Sequence, residues 1–135
     1  MPEPKVHAAG LAAGAALAAG NLRVVASQPS TRQTVLWGGA LAVAAAVYPL
    51  ARKQWKPEAA AAREVVGLVA YSAVAIAACR QLPPAGTRIA AAGWASHALF
   101  DLAHRHSEGS RLPDWYPAVC AGYDLVVASH LARLT

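Results

Sequence analysis

The chain is short of charge. Only 14% of its 135 residues are charged and 56% are hydrophobic, whereas a soluble domain carries about a quarter charged residues. That scarcity excludes an ordinary cytosolic domain. Several enzyme motifs are also missing: the sequence holds no glycine-rich nucleotide loop, no nucleophile elbow and no zinc-protease helix. It has no internal repeat on the scale of about 20 to 50 residues. Its two cysteines, Cys79 and Cys120, are expected near opposite faces of the fold, too far apart for a disulfide. Cys79 reads as a small apolar packing residue. The net charge of +5 does not signal nucleic acid, because the basic residues form no stripe with aromatics between them.

What the chain has instead is apolar blocks joined by short polar stretches. The candidate membrane spans are 6–25, 33–51, 64–82, 88–105 and 115–133, near the roughly 20 residues that cross a bilayer. The expected fold is all-α: one domain over 1–135, an integral membrane bundle of four to five transmembrane helices in the inner membrane, with lipids as partners. The first segment is the weakest. Its Ala and Gly contribute little transfer energy, and Lys5, opposed by Glu3, is a poor charged leader for a signal peptide. Gly10 and Gly14 form a GxxxG pair that suits close helix packing but is common by chance in such a run. Pro83-Pro84 with Gly86 stops the third helix. Asp114 is expected to cap the fifth, with Pro117 in its first turn.

With the N-terminus in the cytoplasm, Lys5, Arg52, Lys53, Lys56, Arg63, Arg105 and Arg111 fall inside and Arg23, Arg32, Arg80, Arg88 and Arg133 outside, a small bias. Trp37, Trp55, Trp115, Tyr48 and Tyr116 fall near segment ends, as interfacial anchors do.

The last two segments carry groups that hydrocarbon does not tolerate unpartnered. In the fourth, His97, Asp101 and His104 are spaced i, i+4, i+7 and share one helix face. In the fifth, Tyr116, Cys120 and Asp124 share another. An antiparallel hairpin places residues whose numbers sum to about 221 at equal depth, which sets His97 opposite Asp124, Asp101 opposite Cys120 and His104 opposite Tyr116 or Pro117. A carboxylate holding an imidazole fixes its tautomer and raises its basicity, as an acid/base catalyst or proton relay requires. The same pair also serves as interhelical glue. A divalent metal held by His97, Asp101 and His104, with Asp124 or Cys120 as fourth ligand, is a further reading, though the spacing is not a specific motif and no cofactor is expected. His106 reads as a solvated loop residue and His130 as interfacial or interhelical. Tyr71 and Ser72 give the third segment one polar notch.

The run HALFDLAH, from His97 to His104, followed by PDWYPAVCAGYD, from Pro113 to Asp124, resembles the C-terminal signature of a family of small bacterial multi-pass membrane proteins of unknown function. In that family's pattern, H-x-x-x-D-x-x-H followed by P-x-x-x-P-x-x-C-x-x-x-D, the signature positions correspond here to His97, Asp101, His104, Cys120 and Asp124. The chain departs from it by reading HRH over 104–106, where adjacent histidines are expected. The resemblance implies an integral-membrane helical fold and no activity.

Three functions follow as expectations. The first is an intramembrane acid/base enzyme using His97, Asp101, Asp124 and His104 on a lipid or isoprenoid-like apolar substrate, since an apolar cavity suits such a ligand. The second is a proton or ion relay or transporter subunit, which would require a homo-oligomer because five helices make a narrow monomer. The third is a structural or assembly membrane protein whose polar pair only fixes helix packing.

Overall fold

The structure, a computed structural model, describes residues 4–104 and 109–135. Five helices follow one another: α1 (Pro4–Val25), α2 (Ser30–Leu50), α3 (Ala59–Arg80), α4 (Ala85–Ala103) and α5 (Tyr116–Arg133). Three of them, over His7–Val25, Ser30–Leu50 and Ala59–Arg80, are long and apolar enough to cross a membrane; α4 and α5 are not among them. The expected all-α bundle is therefore present, with three rather than four or five helices meeting that measure.

Two boundaries move for local reasons. Helix α3 starts at Ala59, five residues before the expected span, because the run AAAAR has high helix propensity and Glu58 precedes it in extended backbone. Helix α4 ends at Ala103: His104 has ψ near 116° and leaves the helix, so it does not continue the face of His97 and Asp101. The cap of α5 is Trp115 rather than Asp114, with Pro117 in the first turn as expected. The expectation for His106 lies outside the described residues.

The helices alternate in direction. Helix α4 is the hub, packing on α5, α3 and α2, while α1 packs principally on α5. The core is built largely from alanines, among them Ala78, Ala90, Ala98 and Ala121, so backbones approach closely. Large rings fill the remaining space. Trp94 is buried, donates its Nε1–H to the Trp37 carbonyl at 3.0 Å and meets the Trp37 ring edge-on at 6.0 Å, a geometry worth about 0.5–1.5 kcal/mol beyond the area it buries. Trp37 and Tyr48 are thus core residues and not interfacial anchors; Trp55 and Trp115 are exposed. Cys79 and Cys120 are free thiols. Cys79 lies on the surface with its sulfur against Gly38 of α2, where a Cβ would sit 2.9 Å away.

Two hydrogen bonds join α2 to α4 in parallel. Thr34 meets Thr87 at 3.0 Å and Tyr48 Oη donates to Asp101 Oδ1 at 2.8 Å, both across a separation of 53 residues.

The GxxxG pair is used. Gly10, Gly14 and Ala18 form the buried stripe of α1, and Gly122 of α5 answers from the other side. A Cβ on Gly14 would fall into the backbone of Val119, and one on Gly122 into that of Leu11, whereas Gly20 has open space around it. Gly14→Ala should therefore separate α1 from α5 and lower the melting temperature of the detergent-solubilised protein. Gly20→Ala should leave it unchanged or slightly higher, since alanine is the better helix former by about 1 kcal/mol. Equal melting of the two variants would show that α1 does not depend on this contact.

Candidate functional site

The hairpin of α4 and α5 brings His97 and Asp124 together. His97 Nδ1–H donates to Asp124 Oδ2 at 2.7 Å, and Asp101 Oδ2 lies 3.3 Å from the same nitrogen. All three residues are 1–2% exposed. One N–H thus faces two carboxylates. Helix α4 supplies His97 and Asp101 one turn apart, and α5 supplies Asp124 at the depth the hairpin dictates.

The other expected pairings differ. Asp101 does not take Cys120 as its partner; its Oδ1 accepts from Tyr48 on α2. Cys120 is half-buried nearby, close enough for the charges of Asp101 and Asp124 to act on it. His104 belongs to a second cluster. Its Nε2 meets Glu64 Oε1 at 2.9 Å, and the other oxygen of Glu64 accepts from Arg52 Nε, while Arg52 Nη1 reaches Glu58. Both the Arg52 and Glu64 side chains are 1% exposed. Burial works against the charge of Arg52, but its hydrogen bonds to Glu64 and Glu58 outweigh that and raise its pKa. Backbone bonds then pair the loops at this end: Lys53 N donates to Gly109 O at 2.8 Å and Arg111 N to Ala51 O at 2.9 Å.

Sequence reasoning missed Tyr48, Arg52 and Glu64. Tyr48 looked like a membrane-surface anchor. Arg52 and Glu64 sit in or beside the most charged stretch of the chain, where ionic residues are normally solvated.

The metal set also changes. Among the described residues, ligand atoms of His97, Asp101 and Asp124 lie within 4.8 Å of one another. Their chemistry, one imidazole and two carboxylates, could take a divalent cation, but His104 and Cys120 are not part of that group, and His97 Nδ1 is already hydrogen-bonded to Asp124 Oδ2.

These contacts overturn the expectation of an intramembrane acid/base enzyme. The cluster's ion pairs and hydrogen bonds join α4 to α5 and to α2, which is a packing role, and its helices α4 and α5 do not meet the hydropathy measure that marks the other three. An open cleft of about 670 Å³ lies elsewhere, lined by Trp55, Lys56, Pro57, Glu58, Ala59 and Val65 at the α2–α3 loop. Compared with family models, curated proteins and solved structures, the chain matches none.

Proposed function

We propose that the protein is a multi-pass membrane protein with a structural or assembly role, in which the buried His/Asp cluster fixes helix packing. The observation that carries this reading is the 2.7 Å bond between His97 and Asp124, with Asp101 held beside it by Tyr48, so that three helices meet at one polar point. Interhelical polar contacts of this kind specify which helices pair and in what register.

In this reading all five helices share the bilayer. The hydropathy of α4 is lowered by Thr87, His97 and Asp101, which turn inward and are buried, and by Arg88, which is exposed in the first turn at the end of the helix. The outer face between Ala92 and Leu102 offers lipid Ala92, Ala95, Leu99 and Leu102, all exposed and uncharged. Helix α5 is enclosed between α1 and α4 and exposes little beyond Leu125, Ser129 and its C-terminal turn. The cost of polar groups in hydrocarbon is thereby limited to groups that meet one another.

Thiol labelling tests the placement. In a Cys79→Ala/Cys120→Ala background, Leu99→Cys should resist a water-soluble maleimide in intact membranes, whereas Trp55→Cys should react readily, and alkaline carbonate should leave both variants in the membrane pellet. Rapid labelling of Leu99→Cys in a carbonate-resistant protein would place α4 outside the bilayer and end the five-span reading.

A further inference from the structure

The two ends of the bundle are charged in different ways. At the end formed by the α1–α2 turn, the α3–α4 turn and the last turn of α5 stand Arg23, Arg32, Arg80, Arg88 and Arg133, all exposed. No side-chain carboxylate accompanies them. Of the chain's seven acids, Glu3 precedes α1, Glu58 and Glu64 belong to the α2–α3 loop and the start of α3, Glu108 and Asp114 fall between α4 and α5, and Asp101 and Asp124 are in the buried cluster. The remaining seven Lys and Arg residues equal those seven acids in number, so the whole formal charge of +5 resides in this arginine rim. None of the five arginines forms an ion pair among the described residues; Arg32 donates only to Gln28 Oε1, at 3.0 Å.

Helix capping accounts for part of the rim and opposes the rest. Arg23, Arg80 and Arg133 stand in the last turns of α1, α3 and α5, where the helix dipole favours a cation. Arg32 and Arg88 are the third and fourth residues of α2 and α4, where the dipole disfavours one. These two charges are therefore not accounted for by their own helices. Val24, Leu82 and Leu134 are exposed at the same end, at 71%, 76% and 49%, so cations sit beside apolar surface. The exposed tryptophans, Trp55 and Trp115, are both at the opposite end, leaving this rim without the aromatic anchors that usually hold a bundle at headgroup level.

We propose that the arginine rim binds anionic phospholipid, with guanidinium groups taking the headgroup phosphates and the neighbouring aliphatic side chains taking the upper acyl chains. Guanidinium is suited to this because its planar donor fork engages phosphate oxygens two at a time. The inference rests on the membrane placement proposed above.

The test is native mass spectrometry of the full chain in detergent with equal amounts of phosphatidylglycerol and phosphatidylcholine of the same acyl composition. Phosphatidylglycerol adducts should exceed phosphatidylcholine adducts by about tenfold or more, from the attraction of basic side chains for an anionic headgroup. The Arg32→Gln/Arg88→Gln pair should remove most of that preference with the melting temperature unchanged or slightly raised, and Lys53→Gln/Lys56→Gln at the other end should retain it. Equal binding of the two lipids by the unaltered protein overturns the proposal, as does equal loss from the lysine pair or a stronger association with heparin than with phosphatidylglycerol. A protein that resists carbonate extraction yet shows no lipid preference overturns the rim alone; one that carbonate releases overturns the membrane placement.

Discussion

His97→Leu should be among the most damaging single substitutions in the chain. It leaves Asp101 and Asp124 facing each other at 1–2% exposure with no imidazole between them. Removing one member of a buried ionic pair costs about 3–5 kcal/mol, because the partner keeps its desolvation penalty and loses its compensation. In a thermal melt of the detergent-solubilised protein that corresponds to a fall of roughly 10 °C or more. Asp124→Asn should be milder, about 1–2 kcal/mol, since the amide oxygen still accepts from His97 Nδ1 and only the charge is lost. Combining His97→Leu with Asp124→Leu should recover part of the single-variant loss, because apolar replacement of a whole buried pair is often neutral. A packing role requires this non-additivity. Single variants that melt with the unaltered protein would exclude the packing role.

Glu64→Ala should have a comparable effect through a different set of helices. Glu64 is the shared acceptor of Arg52 and His104, so its removal leaves a guanidinium whose side chain is 1% exposed with only the more exposed Glu58 as its carboxylate and releases the end of α4 from α3. The expected cost is again about 3–5 kcal/mol. Glu64→Gln should fall between, because its single carbonyl oxygen can still accept one of the two bonds but brings no charge to Arg52. Protease cleavage gives an independent readout: the 51–58 loop, already exposed over 53–58, should be cut faster in Glu64→Ala than in the unaltered chain. Unchanged melting and unchanged cleavage together would mean that this buried network contributes nothing to holding the loops.

How much of this was legible in the sequence follows from where each contact gets its geometry. His97 and Asp124 could be paired in advance because a hairpin with a short connection has one free parameter, its turn, and helical periodicity fixes the rest. Tyr48 and Glu64 could not. Tyr48 meets Asp101 on α4 and Glu64 meets His104 just past its end, and the placement of α2 and α3 against α4 depends on a core of alanines and glycines that gives each helix little contrast between its faces. His104 was misplaced for a local reason: periodicity assumes the helix continues, and it stops one residue earlier. The GxxxG pair of α1 was visible but indistinct, since small residues occur throughout that helix. Only the approach of Val119 to Gly14 gives the pair its meaning. The arginines read in sequence only as markers of membrane sides, and a count of cations conceals that all the acids lie elsewhere.

The two bonds between α2 and α4 span 14 residues on each helix, from Thr34 to Tyr48 and from Thr87 to Asp101, about 21 Å or nearly four turns. Two fastenings at equal intervals on parallel rods suppress sliding and rotation together, because either motion must break both. They also couple the lengths of two distant stretches of gene. An insertion or deletion between residues 34 and 48 can be accommodated only by a matching one between residues 87 and 101, so these two segments are bound to change length together or not at all.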